Sequence, residues 1–311
     1  MSDWVIGIEI GGTKLQLVAG ASDGSLLERR RFAVDPTAGG QGIRLQIESA
    51  LPGLLSLRPA SAIGVGFGGP VDWQSGRIAC SHQIPGWSEF PMAAWLGSLS
   101  GLPVAVDNDA NVAALAEACV GAGRGFHSVF YVTLGSGVGG GFVQGRSIYH
   151  GAKPGECEIG HLRLDRAGQV VEQRCSGWAT DRRIREAVQQ RPESLLARLI
   201  GGHVGGEARH LVPALQADDP TAQVILQETA CDLGLALSHV THLFHPEVIV
   251  LGGGLSLVGE PLRRAVAEAL PSFLLEAFHP GPGLLLAGLS EDAVPVGALL
   301  LAGKSTSTLR G

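Results

Sequence analysis

Trp4-Val-Ile-Gly-Ile-Glu-Ile-Gly-Gly-Thr-Lys-Leu-Gln-Leu-Val-Ala19 is the stretch on which the fold turns. Trp4 to Ile10 is a short apolar run, which predicts a buried strand. Gly11-Gly12-Thr13-Lys14 is then a tight turn, and Leu15 to Ala19 a returning strand. A similar arrangement recurs 124 residues later, where Ser128-Val-Phe-Tyr-Val-Thr-Leu134 runs into Gly135-Ser-Gly-Val-Gly-Gly-Gly141. An internal duplication and two unrelated glycine hairpins both fit this echo. Two further apolar runs stop on glycine: Ile63-Gly-Val-Gly-Phe-Gly-Gly-Pro70, and Glu247-Val-Ile-Val-Leu251 before Gly252-Gly253-Gly254. A strand that ends on glycine lets a ligand approach the backbone.

Helical stretches lie between these strands. Asp109 to Gly121 is rich in alanine, with Asn108 or Asp109 as N-cap. Asp219-Pro220 is a cap followed by a first-turn proline and opens a helix to about His242. Glu260-Pro261 opens another towards Leu270, the segment from Arg182 to Leu215 is helical but broken by glycine pairs, and Asp292 to Lys304 closes the chain. Strands alternating with helices predict an α/β class.

Glycine accounts for 46 of the 311 residues, roughly twice the usual share. No Gly-X-Y period runs through the chain, and Leu, Val, Ile and Ala between the glycines can build a core. The net formal charge of −6 and the lack of a Lys/Arg run longer than Arg29-Arg30-Arg31 argue against a nucleic-acid surface. No apolar stretch reaches the ~18 residues of a membrane span, and Met1-Ser2-Asp3-Trp4 does not read as a secretory leader. Five scattered cysteines without a CxxC fit reduced thiols in a cytoplasm.

Phosphate binding needs backbone N–H donors brought close, and glycine turns after strands supply them. Gly11, Gly12, Thr13 and Lys14 form one such turn, with a hydroxyl and a cation; Gly135, Ser136 and Gly137 form a second. Two turns in matching contexts point to a nucleoside triphosphate. Neither is a P-loop, and neither opens a helix as a dinucleotide fingerprint would. Val104-Ala-Val-Asp-Asn-Asp-Ala-Asn111 puts Asp109 at a helix start, where a carboxylate is stabilised. There it can cap the helix, or deprotonate a hydroxyl that attacks a phosphoryl group. In Gly155-Glu-Cys-Glu-Ile-Gly-His161, Glu158 and His161 bracket an Ile-Gly pair, and the local glycines favour a turn aiming both side chains at one small ligand.

Together, in this order, these segments resemble the sugar kinases of the ROK family (repressor, open reading frame, kinase), within the actin-like ATPase superfamily. The resemblance runs through Gly7 to Lys14, Gly64 to Asp72, Ile84 to Trp87, Asn108 to Asn111, Leu134 to Gly141, Glu158 to His161 and Leu251 to Gly254. It implies two actin-like (ribonuclease H-like) α/β lobes with a cleft between them. The expected lobes are residues 1–108 with 292–311, and 109–291. The implied reaction is ATP-dependent phosphorylation of a hexose at the 6-hydroxyl. Glucose is the first expectation and an N-acylhexosamine (N-acetylmannosamine or N-acetylglucosamine) the second. Asp109 would be the base. Gly69, His82, Asn108, Glu158 and His161 would hold the sugar. Gly11 to Lys14 and Gly135 to Gly137 would cradle the ATP phosphates, with Gly253 and Gly254 at the adenosine. A cytoplasmic homodimer is also implied.

Three departures from the family pattern stand out. Glu9 replaces the usual Asp of the first phosphate motif and is expected to hold Mg²⁺ through water. The zinc-binding cysteine run is reduced to Cys175, so structural zinc is expected to be absent, since a tetrahedral site needs four ligands. The sugar-contacting Glu after that run would fall near Gly177, so its contact is expected to be lost. His239, His242 and His245 are spaced by three residues, and a helix surface or turn explains them better than a metal site. Two rivals remain. The repressor branch carries a helix-turn-helix segment before the first strand, which here begins at about Trp4. A non-catalytic sugar-binding protein would bind a hexose without ATP turnover.

Overall fold

The computed structural model describes residues 3–81, 83–153 and 157–308. The chain opens with β1 (Trp4–Ile10), β2 (Lys14–Ala21), β3 (Leu26–Ala33) and α1 (Gly39–Leu55). It continues through β4 (Ile63–Phe67), the short pair β5 (Val71–Asp72) and β6 (Arg77–Ile78), α2 (Met92–Ser100), β7 (Val104–Asn108) and α3 (Asp109–Cys119). Then come β8 (Ser128–Leu134), β9 (Val138–Gln144), β10 (Ser147–Ile148), α4 (Val171–Cys175), α5 (Gly177–Gln190), α6 (Leu195–Ile200) and α7 (Leu211–Gln216). The long α8 (Pro220–Phe244) precedes β11 (Val248–Gly252), α9 (Glu260–Ala269), β12 (Gly283–Leu286) and α10 (Ala293–Thr308).

Two five-stranded sheets have the orders β3-β2-β1-β4-β7 and β10-β9-β8-β11-β12. In the first, β1 and β2 form the antiparallel hairpin, with Glu9 opposite Gln16, and β4 and β7 add in parallel. In the second, β11 lies parallel to both β8 and β12, and β10 pairs antiparallel with β9. The echo between the two glycine hairpins thus extends to the order of both sheets.

The chain divides into two compact units. One comprises Met1–His127, Gly141–Cys157 and Glu291–Gly311; the other Ser128–Gly140 and Glu158–Ser290. This division differs from the boundary at 108/109 drawn from the sequence. Helix α3 packs against α10 and β4, and Gly141 lies directly on Ala114 of α3, so these segments go with the first unit.

Residues alternate across a strand, and the first sheet uses both faces. Ile6, Ile8, Ile10, Leu15 and Leu17 pack with Ile43, Ile47 and Leu51 of α1 and Met92 and Leu96 of α2. On the other face Val5 and Val18 meet Leu299 and Ala302 of α10. That second face carries mid-strand glycines. A Cβ at Gly64 would run into the Ala298 carbonyl oxygen, and one at Gly66 would stand 2.6 Å from Val294 Cγ1. On α10 itself, a Cβ at Gly297 would strike the Val112 carbonyl oxygen of α3. Part of the glycine content therefore lets α10 touch sheet and helix backbone to backbone, away from any strand end.

The sequence pattern did not announce α1, α2 or β3. Helix α1 starts Gly39-Gly40-Gln41-Gly42 and contains Pro52, and glycine and proline are poor helix formers. Packing outweighs propensity there: Gly40 lies on the Trp87 ring, and Ile43, Ile47 and Leu54 are fully buried. The broken helical region resolves into α5, α6 and α7. Gly201 ends α6 in a left-handed conformation, its N–H donating to the Ala197 carbonyl. Of the three spaced histidines, His242 accepts from the Leu275 amide at 3.1 Å and His245 forms the left-handed cap of α8.

A polar ladder crosses β1, β2 and β3. Gln16 Nε2 donates to Glu9 Oε2 at 2.5 Å, and Arg31 Nε donates to Gln16 Oε1 at 2.9 Å. Lys14 Nζ stands 3.2 Å from Glu9 Oε1. Glu9 is buried, and loss of hydration raises its carboxyl pKa despite Lys14 and Gln16. A carboxyl whose folded pKa exceeds its unfolded value contributes stability that is complete below the unfolded pKa and is lost as pH rises through the folded one.

Two outcomes are expected. Gly64→Ala should lower stability by about 1–3 kcal/mol, read as a reduced denaturation midpoint at constant m-value. Glu9→Gln should gain stability relative to the parent protein as pH rises above the ordinary carboxylate range; a midpoint difference that does not change with pH would remove the burial penalty from Glu9.

Candidate active site

The β7–α3 junction is dense with side-chain bonds. Asn108 has extended backbone (φ −63°, ψ 144°) and caps α3, its Oδ1 accepting from the amides of Ala110 and Asn111. Its Nδ2 donates to the Gly69 carbonyl at 3.1 Å. Asp107 Oδ1 accepts from the Asn108 amide at 2.8 Å and from Asn111 Nδ2 at 3.0 Å. Asp109 is the first residue of α3, so the positive end of the helix favours its ionised form. Its carboxylate borders the Gly68-Gly69 loop: a Cβ at Gly68 would be 3.3 Å from Asp109 Oδ2. Gly69, Asn108 and Asp109 are thus brought together by the end of β4 and the start of α3.

The first glycine turn is closed by the Gly11 amide, which donates to the Lys14 carbonyl at 3.0 Å. Gln83 Oε1 lies over Gly12, leaving no room for a Cβ there. Thr13 is exposed at the tip and its carbonyl accepts from Val34. Both oxygens of Glu9 are engaged from within, one by Lys14 and one by Gln16. Glu9, Gly11 to Lys14, Gly69, Asn108 and Asp109 all lie in the first unit.

In the second unit, the Gly135 amide donates to the Gly137 carbonyl at 2.9 Å, and the Gly177 amide to the Gly135 carbonyl at 2.7 Å. This ties the second glycine turn to the start of α5. Glu158 leads into a 3-10 turn (Ile159–His161), and its carboxylate stands 3.9 Å from His161 Nε2. Both side chains are exposed, while Gly160 fits against the Val138 carbonyl at the start of β9. Gly253 follows β11 in a left-handed conformation (φ +80°), where a Cβ would be 2.5 Å from the Leu134 amide nitrogen, so only glycine serves.

A cavity of about 460 Å³ opens beside this turn, lined among others by Ser136, Trp178, Asp181, Gly254 and Leu255. Trp178 is 67% exposed at its edge. Asp181 accepts from the amides of Gly206 at 3.0 Å and Ala208 at 2.7 Å, which folds the Gly205-Gly206 segment into the cavity wall. The lining is apolar apart from a few groups, as suits a nucleoside-sized ligand.

Two residues escaped the sequence argument. Glu172 of α4 accepts from the Val138 amide at 3.0 Å and crowds Gly137. The link from the Val171 amide to the Leu162 carbonyl holds α4 beside the Glu158–His161 turn. The other is His150, bonded to Asp107. Neither sits in a motif that carries the resemblance. His82, Gly155 and Glu156 lie outside the described residues. Cys175 is fully buried and its thiol is pushed up to about 12, chiefly by desolvation. Among the described residues, no group of three His, Cys, Asp or Glu is arranged to hold a metal ion, and no helix is long and apolar enough to cross a membrane.

The chain is similar to known proteins along nearly its whole length. It is 32% identical to a glucokinase of Halalkalibacterium halodurans over 312 aligned positions, covering 96% of this chain and 94% of the relative. A ROK family glucokinase from Streptomyces griseus, solved in complex with glucose and AMPPNP, superposes with a TM-score of 0.84 at 32% identity, covering 97% of this chain and 99% of that one. A ROK hexokinase from Thermus thermophilus superposes with a TM-score of 0.81 at 30% identity, covering 98% and 99%. The model of the ROK family matches residues 5–305. With its two α/β units, paired glycine turns and Asp109 at a helix start, the chain belongs to the ROK family.

Proposed function

We propose that this protein is a sugar kinase that transfers the γ-phosphoryl group of ATP to the 6-hydroxyl of a hexose, with glucose as the first substrate. The observation that carries this reading is Asp109, a carboxylate held at the N-terminus of α3 beside the Gly68-Gly69 loop. The glucokinase relatives, at about a third identity over nearly full length, support the choice of sugar, and the AMPPNP bound to one of them supports the nucleotide.

The step follows from these positions. The sugar O6 attacks the γ-phosphorus and its proton passes to the Asp109 carboxylate. The O6–P bond forms as the bond to the β,γ-bridging oxygen breaks, and ADP departs with that electron pair. Asn108 is oriented by its own capping bonds and by Gly69, so it presents a fixed polar edge to a neighbouring hydroxyl. Glu158 and His161 are exposed and paired, and they take further hydroxyls. The N–H groups of the glycine turns, with Lys14, face the phosphates. The cavity beside Ser136 and Gly254 takes the adenosine. Mg²⁺, when bound, would neutralise phosphate oxygens, with Glu9 touching it through water. The reading includes a homodimer, which sedimentation would test.

Two measurements check this reading. Asp109→Asn should lower kcat by about 10²–10⁴-fold while sugar affinity, from titration calorimetry, stays close to that of the parent; an active variant would exclude Asp109 as the base. Coupled ADP release over a panel of hexoses and N-acylhexosamines should show the highest kcat/KM with glucose. A preference for N-acetylmannosamine or N-acetylglucosamine would reassign the substrate, and binding without turnover on any sugar would make the protein a non-catalytic sugar binder.

A further inference from the structure

The segment that follows β10 is pinned by two bonds. His150 Nε2 stands 2.6 Å from Asp107 Oδ2, and Lys153 Nζ donates to Asp72 Oδ2 at 2.9 Å. The His150 ring stacks on Trp73, with centroids 4.1 Å apart and planes 14° from parallel. The pair is secluded: the His150 side chain is 15% exposed and that of Asp107 4%. Opposite a carboxylate, Nε2 is the donor.

What distinguishes this pair is what Asp107 does with its other oxygen. Oδ1 holds the Asn108 amide and Asn111 Nδ2, so it clamps the last residue of β7 to the first turn of α3. Asp109 lies between the two clamped residues. Without His150, Oδ2 would be a buried carboxylate oxygen short of a donor, which is costly. The carboxylate would turn to recover one, and Oδ1 would give up part of its grip on the junction. A shift of about 1 Å at a reacting group can cost about 10²-fold in rate.

We propose that His150 is a positioning residue for phosphoryl transfer: by donating to Asp107 it fixes the β7–α3 junction that presents Asp109. This rests on the sugar-kinase reading above. The role is separate from the stacking on Trp73, which an aromatic ring without a donor would keep.

Steady-state kinetics on His150→Phe, His150→Gln, Asp107→Asn and the double variant His150→Phe/Asp107→Asn test it, with unfolding midpoints recorded for each. His150→Phe keeps a ring for Trp73 and should lose about 10–100-fold in kcat with sugar KM changed by less than about 3-fold. His150→Gln retains an amide donor and should stay within about 5-fold of the parent. In the Asp107→Asn background the Phe substitution should add less than about 3-fold, because the bond it removes is already altered. Parental kcat in His150→Phe, equal losses in the Phe and Gln variants, or independent effects in the double variant would each overturn the proposal. If His150→Phe does not fold, the Gln variant decides: a loss of more than about 10-fold in kcat at a parental midpoint counts against the role of the donor. A parent protein that phosphorylates no hexose removes the sugar-kinase reading and this inference together, whereas a working parent with an indifferent His150 removes only the inference.

Discussion

Helix α10 lies in direct backbone contact with both the first sheet and α3, and much else in the first unit follows from that. No side chain fits at Gly64 or Gly297, where the neighbours are the carbonyl oxygens of Ala298 and Val112. Contacts this close leave little freedom to slide, because protein interiors are near crystal density and a misplaced methylene is felt. With α10 seated on the glycine face of β1 and β4, α3 is fixed above it and begins directly at the end of β7. Asp109 owes its place at a helix N-terminus to this packing.

The same unit holds three acidic residues in unlike settings. Glu9 is buried in the cross-strand ladder with both oxygens engaged, and burial works against its charge. Asp107 is buried and committed to Asn108, Asn111 and His150, which suits a clamp and leaves little for a proton from substrate. Asp109 stands at the positive end of α3 against a glycine loop, where an incoming hydroxyl meets no side chain from Gly68. The contrast lies in burial and in place on the helix, and on the proposed reading it separates the two structural carboxylates from the base.

Much of this was legible in the residues themselves. The β1 and β8 hairpins, the Asn108 cap, the Asp219-Pro220 helix start and the glycine stop after β11 are local signals, each needing only a few adjacent residues. Helix α1 was not legible, because its glycines and Pro52 argue against a helix locally and its stability comes from Trp87 and the β-sheet, far away in sequence. The Asp107–His150 bond spans 43 residues, and no spacing rule reaches that far. Glu172 was hidden in the same way, since its bond to the Val138 amide spans 34 residues.

The two glycine turns resemble each other in backbone and in sheet order, yet their charges are opposite. Lys14 puts a cation at the first, balanced by a buried Glu9. Glu172 puts a carboxylate at the second, where it already takes the Val138 amide. Backbone N–H groups attract phosphate in either turn, but a carboxylate among the donors opposes a second anion. On the proposed reading both turns face phosphate, and the positive charge comes from the turn with Lys14. The turn with Glu172, held beside Glu158 and His161 through α4, suits neutral hydroxyl donors at least as well. Two sheets of the same strand order thus carry two glycine turns, and the side chains that differ between them set the charge each turn presents.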